Sequence, residues 1–499
     1  MKRIQFHHSI WIFLIIVLVI IVLYPLLKSG FIVTDDGDWM IIRLSAFYQS
    51  LREGQFPVRF LGRLNNSYGY PVANFLYPGF MYIGSFIKAI GFSFQTSVEI
   101  IIGSSILLAS VAMYVWLSSF FTPFASFIGS LSFLFSPYLL YDVYKRGSVG
   151  ELLAIALAAS IFAAIEKKSR ILIPILTLFL AISHNTLALF FISFLFVYIL
   201  IRKQYQLLIY FGLGLGMSLF FWGPALFEQS LIAFNGIIVS DPQHYFEISL
   251  TILIQSSLFI IAAIISLFEK KLLYKKERLL FFTIIIVICV LTTGISSSIW
   301  NIPLFAKVIQ FPYRWFSLIL IVGPWFVAYI ANKKWIARML AIFGVVYFVY
   351  LSFPYTKAES VVRPDGYYST NEGTTTVANE YMPKWVTKKF AVRPDKKIVF
   401  FGGSGILYEK KVNSQVVDVA IDAKEPSVLQ VNTLYYPGWG GMLDNKKLDI
   451  SIDNPYGVMR IDIPAGVHHL YMTFRETPVR FIFDVISFMF FIIFIIIIL

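Results

Sequence analysis

The chain has 499 residues, 58% hydrophobic and 14% charged, with 41 Lys and Arg against 28 Asp and Glu. Soluble domains are typically about 25% charged and under about 50% apolar, so the composition excludes an ordinary water-soluble globule. The formal net charge of +13 does not mark a nucleic-acid binder, because most Lys and Arg fall in short loops between long apolar runs, the pattern that orients membrane spans.

In chain order, Met1-Lys2-Arg3 precedes an apolar run with no small-residue cleavage site behind it, which reads as a retained span over 9–28 and not a cleaved signal peptide. A long loop, 29–97, follows with Arg43, Arg52, Arg59, Arg63 and many aromatics. Met40, Leu44, Phe47, Tyr48 and Leu51 recur there at helical spacing and predict an amphipathic helix lying on the membrane surface. Apolar runs close to the roughly 20 residues that cross a bilayer predict further spans. They lie at 98–119, 123–141, 150–165, 171–182, 187–201, 206–226, 248–268, 279–294, 315–331, 336–353 and 479–499, giving about twelve in all. The short pair 171–182 and 187–201 reads equally as a re-entrant pair. With the N-terminus inside, the inward loops hold Lys167, Lys168 and Arg170; Arg202 and Lys203; Lys270, Lys271, Lys275, Lys276 and Arg278; and Lys333, Lys334 and Arg338. The outward loop 227–247 has no Lys or Arg. Both termini are therefore expected in the cytoplasm, and 29–97 and 354–478 outside. The single Cys289 excludes an internal disulfide and argues against a Cys-ligated metal, and an exported region without disulfides suits a bacterium.

The predicted domains are a multi-span region 1–353, a water-exposed region 354–478 and a final span 479–499. In the second, Val417, Val419 and Ile421 alternate with Asp418, Ala420 and Asp422; Leu448, Ile450 and Ile452 with polar residues; and Met459, Ile461 and Ile463 with Arg460 and Asp462. Asp453-Asn454-Pro455 and Pro464-Ala465-Gly466 supply turns, so short strands forming a β-sandwich are expected. Tyr435, Tyr436 and Trp439 are expected to cluster, either as a sugar-stacking or membrane-facing surface or as plain core.

Four motifs can carry chemistry. Thr34-Asp35-Asp36-Gly37-Asp38 places three carboxylates after the first span, with Arg43 further along the same predicted helix. Such a patch suits a general base or a divalent cation such as Mg or Mn on Asp36 and Asp38, and an Asp there can equally be a helix cap. Arg146-Gly147-Ser148-Val149-Gly150-Glu151 puts a Glu at the mouth of a span, which is costly unless paired, here with Arg146. Ser183-His184-Asn185-Thr186 joins the two short segments as a cavity lining or a plain loop. Gln310-Phe311-Pro312-Tyr313-Arg314-Trp315 places Arg314 on the outer side, to grip a lipid phosphate bidentately or to sit in an aromatic belt. Glu228, His244 and Glu380 read as solvated loop residues. No Walker lysine loop, dinucleotide fingerprint, HExxH motif or internal repeat is evident, which argues against an ATP-driven pump and repeat-built transporters.

Taken together in order, the Asp patch, GQFPVRFLGRLNNSYGYPVANFLYPGFMY, RGSVGELLAIAL, SHN, QFPYRW, NEYMP and YYPGWGGMLDNKKL…RIDIPAGVHHLYMTF resemble bacterial GT-C-type membrane glycosyltransferases. The likeness is to the YfhO-like proteins and the membrane proteins labelled after pyruvoyl-tetrahydropterin synthase, a label without pterin chemistry here, and it covers most of the chain. It implies many spans, juxtamembrane helices in the first outer loop, an extracytoplasmic domain and a donor sugar on a polyprenyl phosphate. It also implies an acidic residue of that loop at the active site, which maps onto Asp36 with Asp35 and Asp38 as rivals. Where relatives often carry His a few residues on, this chain has Trp39-Met40. The resulting expectation is an inverting transfer at the outer face of a bacterial membrane to a glycan, teichoic acid or lipid-linked acceptor. Arg314, Arg43, Arg146, Glu151, His184 and Tyr313 would bind substrate. The alternatives are a flippase of lipid-linked sugars and a non-catalytic scaffold of glycan assembly.

Overall fold

The computed structural model describes residues 2–236, 242–269, 274–302, 304–364 and 366–499. Lys270 and Lys271, expected in an inward loop, lie outside them. The helices are α1 (Lys2–Val22), α2 (Gly37–Arg52), α3 (Gly79–Ala89), α4 (Phe94–Leu117), α5 (Pro123–Leu134), α6 (Pro137–Tyr141), α7 (Val149–Glu166), α8 (Leu172–Ala181) and α9 (Asn185–Ile201). They continue as α10 (Leu207–Met217), α11 (Leu219–Glu228), α12 (Pro242–Gln255), α13 (Ser257–Leu267), α14 (Lys275–Leu291), α15 (Phe316–Ala331), α16 (Trp335–Ser352), the short α17 (Tyr367–Thr370) and α18 (Pro478–Ile498). Local chemistry starts several of them. Ser93 caps α4 by accepting from Thr96 N at 2.9 Å, Pro123 opens α5, and Thr477 with Pro478 opens α18.

Every predicted span falls on a helix, but the count differs from about twelve. Among the described residues six helices are long and apolar enough to cross a membrane, or up to nine if each bent pair is one span. The pairs α10–α11 and α12–α13 bend by 60° and 56°, and α14 bends by 84° into the turn after it. His8–Val22, α8 and α9 are shorter apolar helices. Burial separates two classes. The spans Val149–Glu166 and Pro312–Ala331 are 94% buried inside the protein, whereas Trp335–Lys357 is 22% and α18 11% buried. The first two are the centre of the bundle, and the last two turn Ile and Phe outward as lipid would require. α4 packs along α7, α5 along α15, and α18 against α10 and α11.

The first long loop, 29–97, is covered by protein. α2 forms where its spacing predicts, yet it does not lie on a surface: Ile41, Ile42, Arg43, Ser45 and Ala46 are buried along with Met40, Leu44 and Phe47. Its polar side is covered by the distant segment around α17, where Ser45 Oγ donates to Tyr368 O at 2.7 Å. Arg63 donates to Ser369 O at 2.5 Å, Tyr368 O and Asn371 O, and β1 (Phe31–Ile32) pairs with β2 (Ser360–Val361).

The C-terminal strands are β3 (Ile398–Gly402), β4 (Gly405–Val412), β5 (Val416–Ala423), β6 (Ser427–Leu434), β7 (Trp439–Leu443), β8 (Lys446–Lys447), β9 (Val458–Ile463) and β10 (Gly466–Phe474). They form two antiparallel sheets, ordered β4-β5-β10-β7-β8 and β3-β6-β9. Val417, Val419, Ile421, Leu429, Val431, Met459 and Leu470 are buried in the protein's core. The alternation at Leu448, Ile450 and Ile452 is not a strand. Leu448 and Ile450 pack on the core, but the backbone makes no continuous ladder: Leu448 N donates to Gly441 O at 2.9 Å and Ser451 forms an isolated bridge with Arg460. The sheets rest on the first loop through Leu434 N to Tyr68 O at 2.7 Å, Lys397 Nζ to Ser67 O at 2.7 Å, and Phe60 against Trp439 and Phe474. Tyr436 and Trp439 are buried and Tyr435 is half-buried; the two tyrosines pack on Trp385, whereas Trp439 packs on Phe60 and Phe474, so the three form no single cluster. Glu228, read as solvated, is buried too. It accepts both Arg480 Nε and Nη2 at 2.8 Å, together with Tyr436 OH and Asn74 Nδ2 at 2.8 Å.

Candidate functional site

Two glycines bring the motifs together. Residues Asp142–Arg146 wind as a π-turn closed by Gly147 N to Asp142 O at 2.9 Å, and Gly147 follows at φ +67°. A Cβ at Gly147 would stand 2.3 Å from Thr34 Oγ1, so only glycine admits the approach. That approach sets 35–36 beside 145–146, with Asp35 N donating to Lys145 O at 2.9 Å and Asp36 N to Arg146 O at 2.8 Å. At Gly150 a Cβ would lie 2.4 Å from the Tyr77 ring and 2.7 Å from Ser183 O. Its absence seats the Tyr77 and His184 segments against the start of α7.

Glu151 is the hub. Its side chain is fully buried and accepts Arg146 Nη1 at 2.6 Å and Arg314 Nε at 3.2 Å. His184 Nε2 faces the same carboxylate at 3.5 Å. The His184 tautomer follows from its other nitrogen: Nδ1 accepts the Leu187 N–H at 3.2 Å, so the ring proton sits on Nε2, toward Glu151. Arg146 Nη1 also donates to Asp142 Oδ1 at 2.8 Å, and its guanidinium lies 5.0 Å over the Tyr313 ring. Arg314 Nη1 donates to Ile309 O at 2.8 Å and Gln310 Oε1 at 3.2 Å. Among the described residues, no hydrogen-bond partner meets Nη2 of either arginine, and Arg146 Nη2 stands 3.9 Å from Asp36 Oδ2. Arg314 is therefore a buried member of the cluster, 9% exposed, and not an interfacial belt residue.

The three aspartates separate cleanly. Asp35 pairs with Lys145 at 3.0 Å on the open surface. Asp38 is held by Arg363 and by Tyr368 OH at 3.0 Å. Asp36 stands at the start of α2 without capping it, because Thr34 Oγ1 accepts the Gly37 N–H at 3.0 Å instead. Its carboxylate faces Arg146 and keeps 32% of its side-chain surface open. Burial pushes the Asp36 carboxyl above the ordinary aspartate value, and Arg146 pulls it part of the way back. Asp38 turns away to Arg363, so Asp36 and Asp38 do not converge on a divalent ion. Among the described residues no group of three or more His, Cys, Asp or Glu does so.

Arg43 is 3% exposed and donates to Thr375 O at 2.6 Å and Thr375 Oγ1 at 3.2 Å, with no ion-pair partner among the described residues. Three contributors stand outside the sequence reading. Asp142 had one signal, an acid four residues before Arg146 at the end of an apolar run. Tyr77 sat within an aromatic run, and Thr375 had no local signal.

No protein-family model matches the chain, and no curated protein matches it either. Among solved structures it is similar to the arabinofuranosyltransferase AftD from Mycobacteria, at 12% identity and a TM-score of 0.49 over 70% of this chain. A mutant of AftD gives 14% identity and a TM-score of 0.48 over 69% of this chain. The chain spans 27% of the length of each. At these values the likeness fixes neither a substrate nor a residue, and the chain's own chemistry has to carry the functional reading.

Proposed function

We propose that the chain is a GT-C-type membrane glycosyltransferase that moves a sugar from a polyprenyl-phosphate donor to a cell-surface glycan, teichoic acid or lipid-linked acceptor at the outer face of the membrane. One observation carries the reading. Of Asp35, Asp36 and Asp38, Asp36 is the one without a hydrogen-bonded partner among the described residues, and it faces buried Arg146, which shares the Glu151 carboxylate with Arg314. A base beside two fixed cations suits a reaction in which a hydroxyl loses its proton while a phosphate departs.

In this reading the acceptor oxygen attacks the anomeric carbon as the carbon–oxygen bond to the donor phosphate breaks. The acceptor proton passes to the Asp36 carboxylate, and the polyprenyl phosphate leaves with the bonding electrons. Arg146 and Arg314 meet the charge that gathers on it, held in place by Glu151. A single displacement inverts the anomeric carbon. Asp35 keeps its pairing with Lys145, and Asp38 its pairings with Arg363 and Tyr368.

The test is transfer by the purified full chain in lipid nanodiscs, supplied in turn with radiolabelled polyprenyl-phosphate hexoses and pentoses and with isolated bacterial envelope glycan. Label moving into the glycan supports the reading. Release of intact labelled lipid to the opposite leaflet of proteoliposomes, without label in glycan, would make the chain a flippase. No movement of label by any donor would leave it a scaffold.

A further inference from the structure

Tyr77 packs against His184, beside the same cluster, without a role in the reading above. Its ring is 6% exposed and sits 4.7 Å from the His184 imidazole, in the space that Gly150 leaves free. The charged groups that bear on its hydroxyl are Arg43, Asp36, Glu151 and Arg314, which come from α2, α7 and the turn before α15. Among the described residues that hydroxyl has no hydrogen-bond partner, although buried phenols ordinarily find one. The oxygen is also absent from the polar atoms sealed off without a partner, so it opens onto a reachable space. Among other buried tyrosines, Tyr70, Tyr198 and Tyr436 spend their hydroxyl on a protein group, while Tyr138 and Tyr329 are unpartnered but sealed off.

We infer that Tyr77 is a substrate-contacting residue whose hydroxyl donates a hydrogen bond to a phosphate oxygen of the donor. The inference rests on the proposed transfer reaction. The chemistry follows from the neighbours. Arg43 and Arg314 draw an anion to that point, while Glu151 is already occupied by three partners. A neutral O–H can add a donor there without adding a third full charge to desolvate. The contact strengthens as charge collects on the departing phosphate, so it acts on the chemical step more than on binding. The ring itself has a second duty, filling the gap beside Gly150 and His184.

The variant that separates the two is Tyr77→Phe, which keeps the ring and removes one oxygen. Expected are unchanged thermal stability in detergent, a donor KM within about twofold of wild type, and a kcat lower by roughly 10- to 100-fold, the range for a hydrogen bond to a charged group. Tyr77→Leu should lower stability as well, because it empties the ring site. Near-normal kcat for a stable Tyr77→Phe protein, while Asp36→Asn is inactive, would overturn the Tyr77 contact and leave the transfer reading standing. If Asp36→Asn is also fully active, the base assignment falls while transfer itself stands, and a near-normal Tyr77→Phe still overturns the Tyr77 contact.

Discussion

Replacing Glu151 by Gln tests whether the cluster is held by its ion pairs. The carboxylate is fully buried and accepts Arg146 at 2.6 Å and Arg314 at 3.2 Å. Breaking a buried pair by neutralising one partner costs about 3–5 kcal/mol, because the other charge stays buried without compensation. Gln keeps the volume and one acceptor oxygen, and Arg146 keeps Asp142 at 2.8 Å. The loss is therefore expected at the lower end, about 3 kcal/mol. The assay is the fraction of full chain that stays monodisperse in detergent after stepwise heating, run beside sugar transfer. Glu151→Gln should lose both heat resistance and transfer, and the double variant with Arg146→Gln should be less destabilised than the sum of the two, with a coupling of about 1–3 kcal/mol. A Glu151→Gln protein with wild-type heat resistance and transfer would refute the hub, and with it the claim that these arginines are held for phosphate.

Arg314→Lys should lower transfer while protein yield stays normal, since a lysine's single nitrogen cannot stand in for the fork that reaches Glu151 through Nε and Ile309 through Nη1; unchanged kinetics would move the phosphate role to Arg146 and Arg43. The raised Asp36 value means that the side chain keeps its proton to a higher pH than a free aspartate, whose pKa is about 4, so kcat/KM should climb with pH through a limb above that point. Asp36→Asn should have no such limb, and a wild-type profile flat from pH 4 to 7 would contradict the assignment. For topology, a cysteine placed near residue 430 in a Cys289→Ser background should react with an impermeant reagent in intact cells and one at Lys275 should not; the reverse would put the site in the cytoplasm. Residues 356–476 expressed alone should give a β-type circular dichroism spectrum, because β3 to β10 pair only among themselves, whereas a helical spectrum would contradict the sheets.

Much of this was legible because it is local. Long apolar runs, the helical spacing of Met40 to Leu51 and the alternation of Val417 to Ile421 each depend on neighbours in sequence, and each became a helix or a strand. What failed depends on partners far along the chain. The polar side of α2 looked solvent-facing, yet Tyr368 and Thr375 cover it from more than 300 residues away. Leu448 to Ile452 alternate as a strand does, but they reach β7 and β9 only through the Leu448–Gly441 bond and the Ser451–Arg460 bridge, not through a ladder. The site was half readable. Asp36, Arg146, Glu151, His184 and Arg314 do gather, because each motif carries a charge or imidazole next to an apolar run, where it must find a partner. The sorting of Asp35, Asp36 and Asp38 was not readable, since it is set by Lys145 and Arg363, and the choice of Thr34 in place of Asp36 as the cap depends on a single hydroxyl.

The central claim is that Asp36 is the base. The most direct measurement is initial-rate sugar transfer by Asp36→Asn, Asp35→Asn and Asp38→Asn proteins, each quantified in the membrane and compared with wild type. Asn preserves the size of Asp, and Asp36 makes no cap hydrogen bond to lose, so protein level and heat resistance should not change. A positioned general base contributes about 10²–10⁴-fold. Asp36→Asn should therefore cut transfer by at least about 100-fold, while the Asp35 and Asp38 variants retain most of theirs. Near-normal transfer by Asp36→Asn, with loss in either of the others, would contradict the account.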